Sequence, residues 1–209
     1  MSVADRLAEV RARIERAGGD PDGVKVLAVT KTFGPDAVRE AVAAGLVDCG
    51  ESRAQELLSK APEVPAEVRW HFVGRLQTNK VRQLAPHVAL WQSVDRPDLV
   101  AELAKRAPGA RVLVQVNVSR EPQKGGCDPD AAADLVAQAR SAGLDVAGLM
   151  CVPAIGGARE GFRLLRALAD DLGLEERSMG MTGDLEVAVE EGSTMVRVGT
   201  ALFGPRPPV

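Results

Sequence analysis

Short apolar runs alternate with longer amphipathic segments along the chain. Residues 3–17 carry a helical period, with Ser2 placed to cap the start and Gly18-Gly19 to stop it. The run at 26–30 reads as a strand. Residues 36–44 read as a helix led in by Pro35 and ended by Gly45. The alternation continues with strands at 46–49, 69–73, 88–94, 112–118, 146–150, 177–179 and 195–198. Helices fall between them at 52–61, 77–84, 95–107, 130–142, 160–172 and 184–191. The run 112–118 is almost wholly apolar or amide, as suits a strand buried on both faces. Residues 199–204 read as a closing segment.

Alternating β and α elements with short connections predict a parallel sheet. Eight such units predict an α/β protein of one domain, residues 1–209, built as a closed (β/α)8 TIM barrel. No linker, low-complexity stretch or repeat interrupts it.

Composition narrows the function. With 45% hydrophobic and 26% charged residues among 209, the chain reads as an ordinary globular domain. A net charge of −3 gives no reason to expect nucleic acid or an anionic membrane as partner. No apolar run is long enough to span a bilayer. The N-terminal residues lack an apolar signal core, so a cytoplasmic location is expected. Cys49, Cys127 and Cys151 are widely spaced and odd in number, which fits reduced thiols. Two histidines, His71 and His87, are too few for a multi-histidine metal site.

The clearest reactive group is Lys31, at the end of the first strand run. In a barrel this position opens into the mouth where chemistry occurs. Leu27, Val29 and Lys31 share one strand face by the period of two, while Lys25 lies on that face at the far end. A desolvated lysine can lose its proton and form a Schiff base with a carbonyl compound. A solvated lysine leaving a strand is the commoner fate of any single lysine, so its neighbours decide. Barrels often bind phosphate between the loops after strands seven and eight. Here those loops are Gly180-Met181-Thr182-Gly183-Asp184 and Gly199-Thr200. Their glycines let backbone N–H groups approach an anion, and Ser178, Thr182 or Thr200 can add hydroxyls. Arg197 sits in the last strand between Val196 and Val198 and needs an acceptor there, either a carboxylate such as Glu51 or a ligand. Amine, phosphate cradle and arginine together suggest pyridoxal 5′-phosphate (PLP).

Long motifs carry a family resemblance. Val29-Thr30-Lys31-Thr32, the run from Trp70-His71-Phe72-Val73-Gly74-Arg75 to Lys80, and Gln115-Val116-Asn117-Val118 closely resemble the pyridoxal-phosphate homeostasis proteins. So do Gly148-Leu149-Met150, the run from Ser178 to Asp184, and the run from Gly192 to Gly204. These small barrels are similar to the N-terminal domain of alanine racemase, a fold-type III PLP barrel, here without the C-terminal β domain. The resemblance implies that Lys31 carries PLP. It also implies that Ser178, Thr182, Gly199 and Thr200 hold the phosphate, that Met179 belongs to the cofactor-binding set, and that Arg197 faces the pyridine nitrogen. Three positions depart from the family pattern. Ser52 stands where asparagine is common, Thr182 replaces a serine, and Cys151-Val152-Pro153-Ala154 is a variant of its motif. Only one of the strand neighbours Trp70 and His71 can point inward; Trp70 reads as core, and His71 as either core or a ring-stacking group. Arg75, Lys80 and Arg82 read as a solvated face with an anionic partner as the alternative. Lys124 reads as a loop charge, or as a transient acceptor for the cofactor.

A racemase needs a second acid/base on the opposite face of the substrate carbon. In the related racemases that group is a tyrosine from an additional domain, and this sequence has no tyrosine. Arginine at the ring nitrogen also leaves that nitrogen unprotonated, whereas strong electron-sink enzymes place a carboxylate there. The expectation is therefore a monomeric, non-enzymatic PLP carrier without catalytic residues or metal, with apo PLP-dependent enzymes as partners. The alternatives are a weak PLP-dependent racemase or decarboxylase with a cysteine as second base, and a Schiff-base aldolase.

Overall fold

The computed structural model describes residues 1–205, so 206–209 of the domain read from the sequence lie outside it. Among the described residues the strands are β1 (Lys25–Val29), β2 (Asp48–Glu51), β3 (Arg69–Phe72), β4 (Val88–Val94), β5 (Arg111–Val116), β6 (Asp145–Cys151), β7 (Glu176–Ser178) and β8 (Met195–Val198). They pair in parallel in sequence order, and β8 returns to β1 to close the barrel. The helices are α1 (Val3–Arg16), α2 (Pro35–Ala43), α3 (Ala54–Lys60), α4 (Thr78–Leu84), α5 (Pro97–Arg106), α6 (Ala132–Ser141), α7 (Ala158–Asp171), α8 (Leu185–Glu190) and α9 (Thr200–Phe203). The expected eight-unit barrel is the observed fold.

Two apolar shells follow from the alternation of side chains along each strand. Val26, Ala28, Trp70 and Phe72 belong to the shell between strands and helices, which holds most of the core. Leu27, Val29, Leu90, Leu113, Met150 and Met195 form a smaller cluster inside the barrel. Leu27 and Val29 therefore face inward, as the period-two reading requires, and Trp70 is a core residue. α1 precedes the first strand yet completes the outer ring, packing against α2, α8 and α9.

Most boundaries move by one or two residues from the pattern reading, and three of the differences have a local reason. The second strand is Asp48–Glu51 and not 46–49. Leu46 supplied the apolar signal, but it belongs to the stop of α2. Gly45 takes φ +87°, the Leu46 N–H donates to Ala41 O at 2.9 Å, and the Gly45 N–H donates to Val42 O at 2.9 Å. That is a Schellman stop with its apolar residue tucked in. The fifth strand ends at Val116, where Asn117 N–H turns to Cys127 O. Residues 199–204, read as a closing segment, contain the one-turn helix α9, too short to show a period.

Candidate functional site

A cavity of about 220 Å³ opens at the C-terminal ends of the strands. Its polar lining is Lys31, Thr182, Gly183, Arg197, Gly199 and Thr200. Val29, Phe33, Val73, Val152 and Met181 provide its apolar walls. The space is below the usual 300–1,000 Å³ of a drug-sized pocket, so it suits a small ligand. Among the residues the sequence assigned to the site, the structure brings Lys31, Thr182, Arg197, Gly199 and Thr200 to one cavity. Ser178 and Met179 lie behind its wall, both fully buried.

Lys31 is the second residue past β1, and the peptide units on both sides of it are anchored. Lys60, at the end of α3, donates from Nζ to Thr30 O at 2.9 Å and pairs with Glu51 Oε1 at 2.6 Å. Thr30 Oγ1 donates to the same Glu51 oxygen at 2.7 Å. Beyond Lys31, the Thr32 N–H donates to Glu56 Oε2 at 2.7 Å. Thr32 itself takes φ +70°, a left-handed conformation rare for a β-branched residue. The network also settles the partner of Glu51, which is Lys60 and not Arg197. Burial pushes the Glu51 carboxyl up, against the opposing pull of Lys60. Burial also acts to raise Glu56, but the Thr32 N–H, Lys60 and Arg53 outweigh it and hold that carboxyl below the ordinary range.

The loops after β7 and β8 are tied together. Gly180 adopts φ +95° and its carbonyl accepts the Arg197 N–H at 2.9 Å, so the β7 loop turns back onto β8. Thr182 Oγ1 accepts from the Ala201 N–H at 3.4 Å. Arg13 of α1 donates to Thr182 O at 2.8 Å while paired with Glu186, which fixes the loop from outside. Asp184 accepts the Met181 N–H at 2.5 Å.

Arg197 is buried, and its acceptors are neutral. Nη1 donates to Ser178 O at 2.6 Å and Ser178 Oγ at 2.9 Å, and Nη2 donates to Cys151 O at 2.8 Å. Among the described residues no carboxylate lies within ion-pair distance of it, and burial pulls its pKa downward. A guanidinium has five N–H donors. This one therefore has donors to spare at a residue that lines the cavity, which fits a ligand presenting an acceptor.

His71, Gln92 and Ser178 fill the barrel interior below Arg197. His71 is hydrogen-bonded to Asp48 and Gln92, so it is a core residue and not a stacking group. Ser52, where the family motif has asparagine, lines a separate cleft of about 690 Å³ with Arg53, Arg75, Lys80 and Arg96. Arg82 is not part of that lining. Lys124 donates to Pro153 O at 2.9 Å, one residue from the cavity-lining Val152. Sequence reasoning missed Lys60, Glu56 and Gln92. The i,i+4 spacing of Glu56 and Lys60, and an amide within the apolar run 88–94, were the available signals. Among the described residues no cluster of side chains could hold a metal ion, and no helix is long and apolar enough to cross a membrane.

Comparison with known proteins identifies the family. The alanine racemase N-terminal domain family matches residues 3–207. The pyridoxal phosphate homeostasis protein of Pseudomonas aeruginosa is 44% identical, over 98% of this chain and 96% of its own length. That of Aquifex aeolicus is 41% identical over 99% of each. The structure of PipY from Synechococcus elongatus with PLP bound superposes with a TM-score of 0.83 at 32% identity, covering 97% of this chain and all of that one. The chain thus belongs to the alanine racemase N-terminal domain family and, within it, to the pyridoxal phosphate homeostasis proteins.

Proposed function

We propose that this protein binds PLP reversibly and serves in intracellular PLP homeostasis, with Lys31 holding the aldehyde as a Schiff base and without catalytic turnover. The observation that carries the reading is one small cavity lined by an amine, two linked glycine-and-threonine loops and a buried arginine that has no counter-ion among the described residues. When bound, PLP supplies an electrophilic aldehyde and an electron-withdrawing ring. Thr182, Gly199 and Thr200 would hold the phosphate, and Arg197 would donate to the ring nitrogen. The names of the relatives and the bound PLP of PipY support the same ligand.

Arginine as a donor to the ring nitrogen favours storage over carbanion chemistry. The alternative of a racemase or decarboxylase with a cysteine base finds little support. None of the three thiols lines the cavity, and burial pushes each up to about 12. We further propose a cytoplasmic monomer that hands PLP to apo enzymes, in keeping with three free thiols.

Visible absorption of the PLP-loaded protein tests the reading, followed by borohydride reduction and peptide mapping. A near-visible band should appear, and the reduced label should map to Lys31. A Lys31→Ala protein that kept the band in full would overturn the assignment. Sustained turnover of an amino acid would favour the enzyme. Absence of the band, with borohydride trapping of a sugar-phosphate carbonyl on Lys31, would favour the aldolase.

A further inference from the structure

A continuous string of hydrogen bonds crosses the barrel interior from the mouth toward the N-terminal ends of the strands. Arg197 Nη1 on β8 donates to Ser178 Oγ on β7 at 2.9 Å. Ser178 Oγ is 2.7 Å from Gln92 Oε1 on β4. Gln92 Nε2 is 2.9 Å from His71 Nδ1 on β3. His71 Nε2 is 3.1 Å from Asp48 Oδ1, at the start of β2. Arg197, Ser178, Gln92 and His71 are all buried.

The direction of this string is dictated by its first member. A guanidinium only donates, so Ser178 Oγ accepts from Arg197 and must give its single proton to Gln92 Oε1. That orients the amide and turns Nε2 toward His71 Nδ1 and toward Met195 Sδ at 3.1 Å, both of which accept. His71 Nδ1 is then the unprotonated nitrogen, and Nε2–H donates to the Asp48 carboxylate. Every bond points the same way, from guanidinium to carboxylate. With the amide so placed, the opposite imidazole tautomer would set Nδ1–H against the Gln92 Nε2–H and a bare Nε2 against the Asp48 carboxylate.

Packing alone does not call for such a line. The apolar cluster inside the barrel is leucine, valine and methionine, and it offers this line no polar partner beyond the Met195 sulfur. A buried polar network is useful only when every member is satisfied, and then it rigidifies what it touches. What this one touches at the mouth is Arg197, a long side chain whose remaining anchors are two backbone carbonyls. We propose that Ser178, Gln92 and His71 are positioning residues that hold the Arg197 guanidinium at the cofactor cavity, with Asp48 as the fixed end of the line. This rests on the PLP reading above and assigns to Ser178 a role behind the ring, in place of a phosphate contact.

The first test uses the protein without PLP. Two-bond proton–nitrogen NMR correlations distinguish imidazole tautomers, and His87→Gln leaves His71 as the only histidine signal. His71 should be the neutral Nε2–H form; an Nδ1–H form would overturn the proposal. The second test compares two variants at Gln92. Gln92→Glu keeps the acceptor for Ser178 Oγ, which anchors Arg197, and should lose less PLP affinity than a variant without that acceptor. Gln92→Met removes both ends of the link, and PLP affinity should fall about tenfold with a shifted band. If Gln92→Met matched wild type within about twofold, or if both variants lost PLP equally, the positioning role would be refuted. A wild-type protein that shows no near-visible band with PLP would instead fail the underlying reading, while the tautomer result would stand apart from it.

Discussion

Lys60 Nζ lies 2.9 Å from the carbonyl oxygen of Thr30, the residue just before Lys31, and 2.6 Å from Glu51 Oε1. Both charged side chains are almost wholly buried. The ion pair therefore joins the end of β1 to β2 and α3 next to Lys31. Breaking a buried pair by removing one partner leaves an uncompensated charge, at a cost of about 3–5 kcal/mol. Lys60→Met should lose stability on that scale in urea unfolding. The double variant Lys60→Met with Glu51→Leu should lose less than Lys60→Met alone, because no charge is stranded. A double variant as unstable as the sum of the singles would show that the two side chains act independently.

Thr32 bears strain next to the same lysine. Its φ of +70° is unfavourable for a β-branched residue, and its buried Oγ1 has no hydrogen-bond partner among the described residues. Left-handed backbone costs an ordinary residue about 1–2 kcal/mol, and glycine escapes most of that. Thr32→Gly should therefore raise stability by about 1 kcal/mol even after the added entropy of glycine. Glycine keeps the N–H that Glu56 holds but leaves this conformation more easily, so PLP affinity should fall as the loop loosens. Thermal unfolding and PLP titration of the same variant check both halves. A Thr32→Gly protein less stable than wild type would refute the strain.

The barrel was legible because each unit repeats the same two periods, and Lys31 was legible because strand alternation sends it to the mouth. Thr182, Gly199 and Thr200 were placed at the mouth by the expected positions of the loops after strands seven and eight. The supports of these residues were not legible. Lys60 meets Thr30 only after α3 folds back over β1, and Gln92 meets Ser178 only once the barrel is closed. Ser178 and Arg197 show the limit most clearly. Each was named from its place at a strand end, yet that the serine holds the arginine depends on register between strands, which a sequence pattern does not carry. Leu46 misled for the opposite reason: a helix stop and a strand start both place an apolar residue after a glycine.

The cysteines give a separate check on the absence of a thiol base. Burial pushes Cys49, Cys127 and Cys151 each up to about 12. Since the thiolate is the reactive form, alkylation at roughly pH 8 should run about a thousandfold slower than for an ordinary thiol of pKa about 8.5. Mass spectrometry after iodoacetamide should find the folded protein unlabelled and the urea-unfolded protein labelled at all three sites. Rapid labelling of Cys151 in the folded state would reopen the case for a thiol base near the cavity.

Asp48 gives the fold an acid-sensitive joint. Burial acts to raise its carboxyl, but hydrogen bonds from His71 and Arg69 outweigh that and hold it well below the usual carboxylate range. A carboxyl whose folded pKa is depressed binds its proton more readily when unfolded. Its contribution is then complete above the unfolded value of about 3.9 and is lost as pH falls through the folded one. The contribution is on the order of 2 kcal/mol for a depression of this size. Urea unfolding of wild type and Asp48→Asn across the acid range should show wild type more stable near pH 6, with the gap closing below about pH 4. Because Asp48 is the last acceptor for His71, the same titration should disturb the His71 nitrogen signals as the gap closes. A gap that persisted unchanged to the lowest pH would mean that the Asp48 charge contributes nothing, and that the line ending on it is held by packing alone.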